Sequence, residues 1–319
     1  MTRVLITGAS GFIGRPLAMA LAQAGYAVRA AARERRGLNS PSGIEVVAQG
    51  DLGGAVDWAP LVAGIDAVVH LAGIAHVGPQ IAESAYDAVN HRATAALATV
   101  AASAGVRRFV FMSSIRAQTG ALSPRPLTEA DAPQPTDAYG RSKLAAENAV
   151  CAAGLPYTIL RPALVYGPGA KGNLASLVRL AALPVPLPFG ALTNRRSLLA
   201  LDNLIAAVRF ALEDARAINE TFLVSDPGTL SVADMVAAIR AAWGRSSALL
   251  PVPPRLLAAA LSLVGQRDAF ERLSGTQVAE PAKLIAAGWR PVIETRPGLA
   301  AMAQAASPRK SGTASRSTP

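Results

Sequence analysis

The strongest constraint on the fold is a glycine-rich stretch that directly follows the first apolar run, "VLITGASGFIGRPLA", residues 4–18. Gly8, Gly11 and Gly14 stand three residues apart, between a β-branched run and an alanine-rich segment. The first glycine permits a sharp turn, the second lets backbone N–H groups approach a pyrophosphate, and the third allows a helix to pack closely on a strand. The N-terminus of that helix then faces the anion with its unpaired N–H groups. The stretch predicts a dinucleotide-binding strand–loop–helix unit, and a tight turn without a ligand is the alternative.

The rest of the first half alternates short β-branched runs with helical segments, a pattern that favours a parallel sheet with crossover helices. The predicted strands are Arg3–Thr7, Ala27–Ala32, Glu45–Ala48, Ala67–Leu71, Phe109–Ser113 and Thr158–Leu160. Predicted helices between them include Pro16–Ala24 and His91–Ala104. We therefore predict an α/β fold built on a Rossmann doubly wound parallel sheet.

The composition changes after Arg161, where the chain becomes rich in proline and glycine. A helix near Leu201 and the strand-like "TFLVSD" resume the α/β pattern briefly. Further helices are predicted at Val232–Trp243, Arg255–Val264 and Pro281–Ala287. The predicted boundaries are 1–165 for a Rossmann domain, about 197–225 for its returning chain, 166–196 and 226–305 for a smaller C-terminal substrate-binding lobe, and 306–319 for a disordered basic tail.

The formal net charge is +10, with basic residues scattered along the chain rather than gathered in one patch. This pattern argues against a nucleic-acid partner and favours a small anionic ligand, because positive potential concentrates phosphate-bearing molecules. A single cysteine, Cys151, suits a reducing compartment. No apolar run reaches the roughly 18 residues of a membrane span, and no apolar leader precedes Arg3. We expect a cytoplasmic protein without a membrane span. The spacing of His70, His76 and His91 is not that of metal ligands, so we expect no metal.

A second motif, "DAYGRSKLAAEN", places Tyr139 and Lys143 four residues apart, on one face of a predicted helix. A nearby ammonium favours the phenolate, so we expect a lowered pKa that lets Tyr139 serve as acid or base for a carbonyl/alcohol pair. Upstream, "VFMSSI" ends a predicted strand with Ser114, which can hydrogen-bond a substrate oxygen; Ser113 is the alternative if the register differs by one. Two ordinary helix-surface residues are the alternative for the Tyr139–Lys143 pair.

The glycine loop, the serine and the Tyr/Lys pair, in this order, resemble the extended short-chain dehydrogenase/reductases, the NAD-dependent epimerase/dehydratase family. The resemblance implies that Ser114, Tyr139 and Lys143 are catalytic and that Lys143 bonds the nicotinamide ribose. It also matches Asp51 to an acid that meets the adenine amino group, and Asn90 to a helix asparagine that stabilises the active-site region. The cofactor-binding residues it implies are Gly8, Ser10, Gly11, Phe12, Ile13, Gly14, Arg33, Asp51, Leu52, Leu71, Ala72, Gly73, Asn90, Tyr139 and Lys143.

The end of the second predicted strand bears on the choice of cofactor. NAD enzymes commonly carry an acid there for the ribose 2′-hydroxyl, but this chain has Ala32 followed by Arg33. The acid that would repel a 2′-phosphate is missing from the strand end, and an arginine there can hold that phosphate by charge-assisted hydrogen bonds. The sequence favours NADP, with NAD as the alternative. The alternative without a cofactor role is that Arg33, Arg35 and Arg36 form a solvated turn.

Two later stretches resemble nucleotide-sugar enzymes of the same family, including UDP-glucose 4-epimerase and 4-ketoreductases. "GPGAKGN" matches a loop whose asparagine, Asn173 here, meets the nucleotide diphosphate. In "NRRSLLALDNL", Arg195 matches a diphosphate-binding arginine, and Arg196 replaces an acid and adds anion affinity. The proline-rich "PVPLPFG" between them matches a loop that meets the base, with a plain lobe connection as the alternative.

The two residues after Ser114 distinguish dehydration from reduction or epimerisation. The 4,6-dehydratases of the family carry an Asp-Glu pair directly after the catalytic Thr or Ser, whereas this chain has Ile115 and Arg116. The resemblance therefore implies reduction of a UDP-4-keto-6-deoxy-HexNAc at C4, with a UDP-hexose 4-epimerase holding NAD as the alternative. A non-catalytic NADP-binding protein is a third hypothesis, and a homodimer is a further possibility that the family suggests.

Overall fold

The computed structural model describes residues 1–34, 43–75, 81–263, 265, 270 and 274–306. The strands in these ranges are β1 (Arg3–Thr7), β2 (Ala27–Ala32), β3 (Ile44–Ala48), β4 (Ala67–His70), β5 (Arg108–Met112), β6 (Tyr157–Pro162), β7 (Leu164–Tyr166), β8 (Arg196–Ala200), β9 (Glu220–Val224) and β10 (Thr229–Leu230). Seven of them form one parallel sheet in the order β3-β2-β1-β4-β5-β6-β9.

Helices cover both faces of this sheet, as a parallel sheet with crossover connections requires. They are α1 (Gly14–Gln23), α2 (Ala59–Val62), α3 (Glu83–Tyr86), α4 (Ala93–Ser103), α5 (Ile115–Gln118), α6 (Ala138–Ala152), α7 (Gly172–Ala182), α8 (Leu201–Glu213), α9 (Val232–Ala242), α10 (Pro254–Leu263), α11 (Ala282–Ala287) and α12 (Thr295–Ala305). A π-helical turn, Asp87–Arg92, joins α3 to α4, and a 3-10 turn, Ala215–Ala217, follows α8.

The order of the strands reverses between β1 and β4, which lie side by side with Ile6 next to Val69. In doubly wound sheets the crevice at the carboxyl ends of two such strands is the place where ligands bind. Leu17 and Val208 belong to the core on one face of the sheet, and Leu97 belongs to the core on the other. Because these apolar residues hold α1, α4 and α8 against the sheet, the strand ends that form the crevice are fixed in position.

A second sheet of three strands, in the order β10-β8-β7, lies at the C-terminal side of the chain. It has its own core, to which Tyr166, Leu198 and Val236 contribute. The helix α9 that packs there begins with a capping box, in which Ser231 and Asp234 each bond the other's backbone N–H. We refer to this sheet with α7, α9, α10 and α12 as the C-terminal lobe.

The predicted fold class is confirmed: a doubly wound parallel sheet is accompanied by a smaller C-terminal lobe. Strands β1 and β2 have the predicted bounds, and the other predicted strands differ by one or two residues. The helix predicted from His91 begins as α4 at Ala93, because the preceding turn is π-helical. β8 lies within the stretch predicted to return to the main sheet, but it pairs with β7 and β10 instead. Most of the predicted tail lies outside the described residues.

None of the described helices is long and apolar enough to cross a bilayer. Within the same described ranges, no three His, Cys, Asp or Glu side chains come together as a possible metal-binding group.

Candidate active site

The glycine loop after β1 is shaped by contacts that leave no room for a side chain. Gly8 has a φ of +68°, and a Cβ at this position would lie 2.8 Å from the Ala72 nitrogen. A Cβ on Gly14 would lie 2.2 Å from the Gly8 carbonyl oxygen. No side chain among the described residues caps the N-terminus of α1. The loop is therefore a backbone cradle whose N–H groups suit the pyrophosphate of a dinucleotide.

The other loop residues of the predicted cofactor site lie along the same edge. Ser10 and Gly11 are exposed, whereas Phe12 and Ile13 are half-buried. A Cβ on Gly167 would lie 3.8 Å from the Phe12 ring, so the segment directly after β7 reaches the loop. Gly167, in the "YGPG" stretch, is a contact that sequence reasoning missed.

The turn after β4 brings Leu71, Ala72 and Gly73 to the crevice, and Asn90 holds this turn in place. Asn90 Oδ1 accepts a hydrogen bond from the Ile74 N–H at 2.8 Å, and its Nδ2 donates to the Ile74 carbonyl at 3.0 Å. A Cβ on Gly73 would lie 2.7 Å from Asn90 Oδ1. The close packing explains why position 73 carries glycine.

The predicted serine, tyrosine and lysine come together at the ends of β5 and α6. Ser114 lies beside Tyr139, where its hydroxyl lowers the pKa of the tyrosine, and Ser114 Oγ accepts a hydrogen bond from the Arg116 N–H at 3.1 Å. The hydroxyl of Ser113 is buried and donates to Glu147 instead. Of the two adjacent serines, Ser114 is therefore the one that faces the tyrosine.

Lys143 lies one helical turn after Tyr139, with its side chain in the protein interior. Only 5 % of the residue is exposed, its Nζ donates to the Met112 carbonyl at 2.9 Å, and Nζ lies 4.9 Å from the centre of the Phe111 ring. Removal from water lowers the pKa of Lys143 to about 8, against the opposing effect of the Glu147 carboxylate. Lys143 is therefore mostly an ammonium at neutral pH, but it loses its proton at a lower pH than an ordinary lysine.

The sequence predicted a lowered pKa for Tyr139, but the protein groups around it raise that pKa. Removal from water raises the pKa of Tyr139 to about 12, the Ser114 hydroxyl beside it lowers it, and the charge of Asp137 raises it further. Desolvation exceeds the effect of the nearby cations because the phenolate loses hydration when it forms in the protein. A phenol with this pKa is held protonated, which is the state of a proton donor.

The end of β2 and the turn after β3 hold the remaining predicted cofactor residues. Arg33 is exposed directly after β2; Arg35 and Arg36 lie outside the described residues. Asp51 is exposed and accepts from the Gly53 N–H at 3.1 Å, while Leu52 is buried. A cavity of 340 Å³ lies beside them, lined by Leu52, Gly53, Gly54, Trp58 and Ala93 among others.

The two adjacent arginines of the predicted substrate site point to different places. Arg195 is exposed, with Nη1 3.5 Å from an Asp234 oxygen. Arg196 is half-buried at the start of β8, and burial together with the charge of Arg116 lowers its pKa. Arg196 therefore lies near the Arg116 guanidinium, whereas Arg195 faces Asp234. Asn173 is exposed in the first turn of α7.

Arg116 is a residue at the site whose partner the sequence did not predict. Its guanidinium pairs with Asp137, the N-cap of α6, whose other oxygen accepts from the Gly140 N–H at 2.6 Å. This ion pair links the turn carrying Ser114 to the helix carrying Tyr139. The sequence shows a basic residue two positions after the serine, but it does not show that an acid faces it.

Comparisons with known proteins place the chain in a family. Residues 4–225 match the NAD dependent epimerase/dehydratase family. A UDP-glucose 4-epimerase of Vibrio cholerae is 36% identical over 313 residues, which is 95% of this chain and 94% of that protein.

Two solved structures have a similar fold. MoeE5 in complex with UDP-glucuronic acid and NAD has a TM-score of 0.74 at 25% identity, covering 95% of this chain and 98% of that one. The UDP-glucuronic acid 4-epimerase of Bacillus cereus, in complex with NAD, has a TM-score of 0.76 at 22% identity with the same coverage. The family model matches more than half of the chain and the Vibrio cholerae relative matches nearly all of it, so the chain belongs to the NAD dependent epimerase/dehydratase family.

Proposed function

We propose that the protein is an NAD(P)-dependent oxidoreductase that reduces the C4 carbonyl of a nucleoside-diphosphate sugar, with a UDP-4-keto-6-deoxy-HexNAc as the substrate class. The observation that carries the proposal is the placement of Ser114 beside Tyr139, which lies one helical turn from the buried Lys143. A hydroxyl pair beside a buried ammonium suits proton transfer to a carbonyl oxygen.

Each of the three residues has a separate task. Tyr139, protonated at neutral pH, gives its proton to the oxygen at C4, and Ser114 holds that oxygen by a hydrogen bond. Lys143 orients the ribose of the cofactor and stabilises the phenolate left on Tyr139. A bound nicotinamide dinucleotide would supply the hydride, and the glycine cradle with Leu71–Gly73 would hold it.

The charges near the serine argue against dehydration. Removing water from a sugar needs a proton donor and a proton acceptor beside the catalytic residues. Arg116 supplies neither, since a guanidinium stays protonated. Both oxygens of Asp137 are already engaged: one pairs with the Arg116 guanidinium, and the other accepts from the Gly140 N–H at the start of α6. Simple hydride and proton exchange at one carbon remains the chemistry that these residues support.

A preference for NADP is part of the proposal. Ala32 ends β2 where NAD enzymes commonly carry an acid, and Arg33, which follows it, is exposed and able to pair with a 2′-phosphate. Solved relatives such as MoeE5 hold NAD, which keeps NAD as the second candidate. For the substrate, Arg195 and Asn173 are the proposed diphosphate ligands, and Arg196 adds positive charge beside them.

A 4-epimerase acting on a UDP-hexose is the second candidate function. The observation that favours it is the Vibrio cholerae relative, a UDP-glucose 4-epimerase that matches nearly the whole chain. The two reactions use the same three residues. They differ in the fate of the cofactor. In the reductase it enters reduced and leaves oxidised, whereas in the epimerase it stays bound and is regenerated in each cycle.

Purified protein mixed with NADPH or NADH and a UDP-4-keto-6-deoxy-HexNAc tests the proposal, followed by the absorbance of the reduced nicotinamide. Net oxidation, faster with NADPH, supports the reductase. Interconversion of UDP-glucose and UDP-galactose without added cofactor supports the epimerase. A protein that binds NADPH but performs neither reaction, and whose Tyr139→Phe variant keeps full biological activity, would support the non-catalytic alternative.

A further inference from the structure

A buried ion pair lies directly behind the catalytic lysine. Glu147, on α6, is one helical turn after Lys143 and is 3 % exposed. Arg161, on β6, is 6 % exposed. The Arg161 Nε donates to the two Glu147 oxygens at 2.9 and 3.2 Å, and Nη2 donates to Oε2 at 2.5 Å. The mechanism proposed above makes no use of either group.

The pair is the centre of a hydrogen-bond network that joins every element carrying a proposed catalytic residue. The Ser113 hydroxyl at the end of β5 donates to Glu147 Oε1, and the Arg161 Nη1 donates to Gln118 Oε1 in α5. Gln118 Nε2 in turn donates to the Thr128 carbonyl at 3.3 Å. Because β5, α5 and α6 meet at these side chains, the network holds Ser114, Tyr139 and Lys143 in one arrangement.

The same carboxylate acts on the charge of Lys143. The titratable or charged groups near Lys143 are Glu147 and Tyr139 on α6, His70 on β4, and Arg161 behind Glu147 on β6. Burial holds His70 neutral, with its pKa lowered to about 3. Glu147 raises the pKa of Lys143 and so opposes the burial that lowers it.

We propose that Glu147 is a positioning residue that acts through Lys143: it anchors α6 to β5 and β6 and keeps the lysine ammonium charged at the pH of catalysis. Arg161 makes this possible because an unpaired buried carboxylate would be costly to the fold. The inference rests on the proposed role of Lys143, so its test includes a measurement that does not depend on activity.

The direct measurement is the titration of the lysine Nζ by NMR on protein labelled with [15N]lysine. The sequence has four lysines, Lys143, Lys171, Lys283 and Lys310, so the signals are few. Lys143→Met identifies the signal of interest.

The test variant is the double substitution Glu147→Gln with Arg161→Met, which removes both buried charges and leaves neither unpaired. We expect the pKa of Lys143 to fall, with about a tenfold lower ratio of ammonium to amine at a given pH. The alkaline limb of kcat should move to lower pH by the same amount.

The matched control is Glu83→Gln, which removes an exposed carboxylate that pairs with Arg141 on the same helix. Exposed pairs contribute little, so the control should titrate as the parent does.

A folded double variant with an unchanged Lys143 titration overturns the proposal. If the double variant does not fold, Glu147→Asp serves, since it keeps the charge and withdraws the carboxylate from Arg161. We expect Glu147→Asp to lower kcat while Lys143 stays charged, and unchanged kcat would overturn the positioning role. Parent protein without activity, but with the expected change in titration, would instead contradict the proposed function alone.

Discussion

Asn90 satisfies both backbone groups of Ile74, accepting from its N–H at 2.8 Å and donating to its carbonyl at 3.0 Å. Its Nδ2 also donates to the Ser142 hydroxyl, at 3.1 Å, on the helix that carries Tyr139 and Lys143. One amide therefore ties the turn after β4 to the catalytic helix. It does so from a π-helical turn, a feature that is frequent at functional sites.

We expect Asn90→Ala to leave the N–H and the carbonyl of Ile74 without partners and to lower the free energy of unfolding by about 1–3 kcal/mol. The Gly73 turn would lose its anchor, so dinucleotide affinity should fall as well. Urea unfolding and fluorescence titration with NADPH measure the two effects. Asn148→Ala, at an exposed position on α6, is the control and should change neither quantity.

Tyr139→Phe removes the proposed proton donor and should lower kcat by at least about a hundredfold. Tyr86 offers a matched control, because its ring centre lies 6.0 Å from that of Tyr139. The Tyr86 hydroxyl is buried and has no hydrogen-bond partner among the described residues, so Tyr86→Phe should leave stability unchanged or raise it. Equal losses of kcat in the two variants would argue against Tyr139 as the specific donor.

His70 should make the protein sensitive to acid. Its ring is fully buried between the hydroxyls of Thr7 and Thr94, at 2.7 and 2.9 Å, and its pKa is lowered to about 3. Below pH about 6.5 the unfolded chain binds a proton that the folded chain does not. The free energy of unfolding should then fall by about 1.4 kcal/mol per pH unit until pH about 3, which urea unfolding at several pH values measures.

A His70→Gln variant tests that assignment, because glutamine does not titrate and can bond both threonines. Its loss of stability between pH 7 and pH 5 should be smaller than that of the parent by about 2 kcal/mol. The same slope in both proteins would show that other groups cause the acid sensitivity.

Arg33→Ala tests the cofactor preference. Loss of one charge-assisted contact to the 2′-phosphate should weaken NADPH binding by about ten- to hundredfold and leave NADH binding nearly unchanged. Isothermal titration with each cofactor measures the ratio. Arg209→Ala, which removes a comparably exposed arginine on α8, is the control. An equal loss for both cofactors would remove the basis for an NADP preference.

Arg240 should matter for substrate affinity through the proline-rich segment after α7. It is 3 % exposed, and its three side-chain nitrogens donate to the carbonyls of Ala181, Leu183, Val185, Ser247 and Ala248. The proline-rich segment is the loop predicted to meet the nucleotide base. Arg240→Met removes the donor that holds its carbonyls, so KM for the nucleotide sugar should rise more than kcat falls. Arg245→Met, which removes one exposed contact to Ala182, is the milder control.

Local sequence patterns were sufficient for the glycine cradle, the parallel sheet and the Tyr139–Lys143 pair. Each depends on residues close together in the chain: a turn that excludes a Cβ, runs of apolar residues buried on both sides, or two positions one helical turn apart. The short strands β7, β8 and β10 were not predicted, because they form a small sheet only by pairing with one another across distant parts of the chain.

The tertiary structure decided which of two neighbouring side chains faces the site, and how the buried charges balance. Ser114 rather than Ser113 faces Tyr139, since adjacent residues in extended chain point in opposite directions. The raised pKa of Tyr139 likewise follows from burial in the folded chain. Desolvation and long-range pairing depend on groups that only folding brings together, so these properties are set by packing and not by the order of the residues.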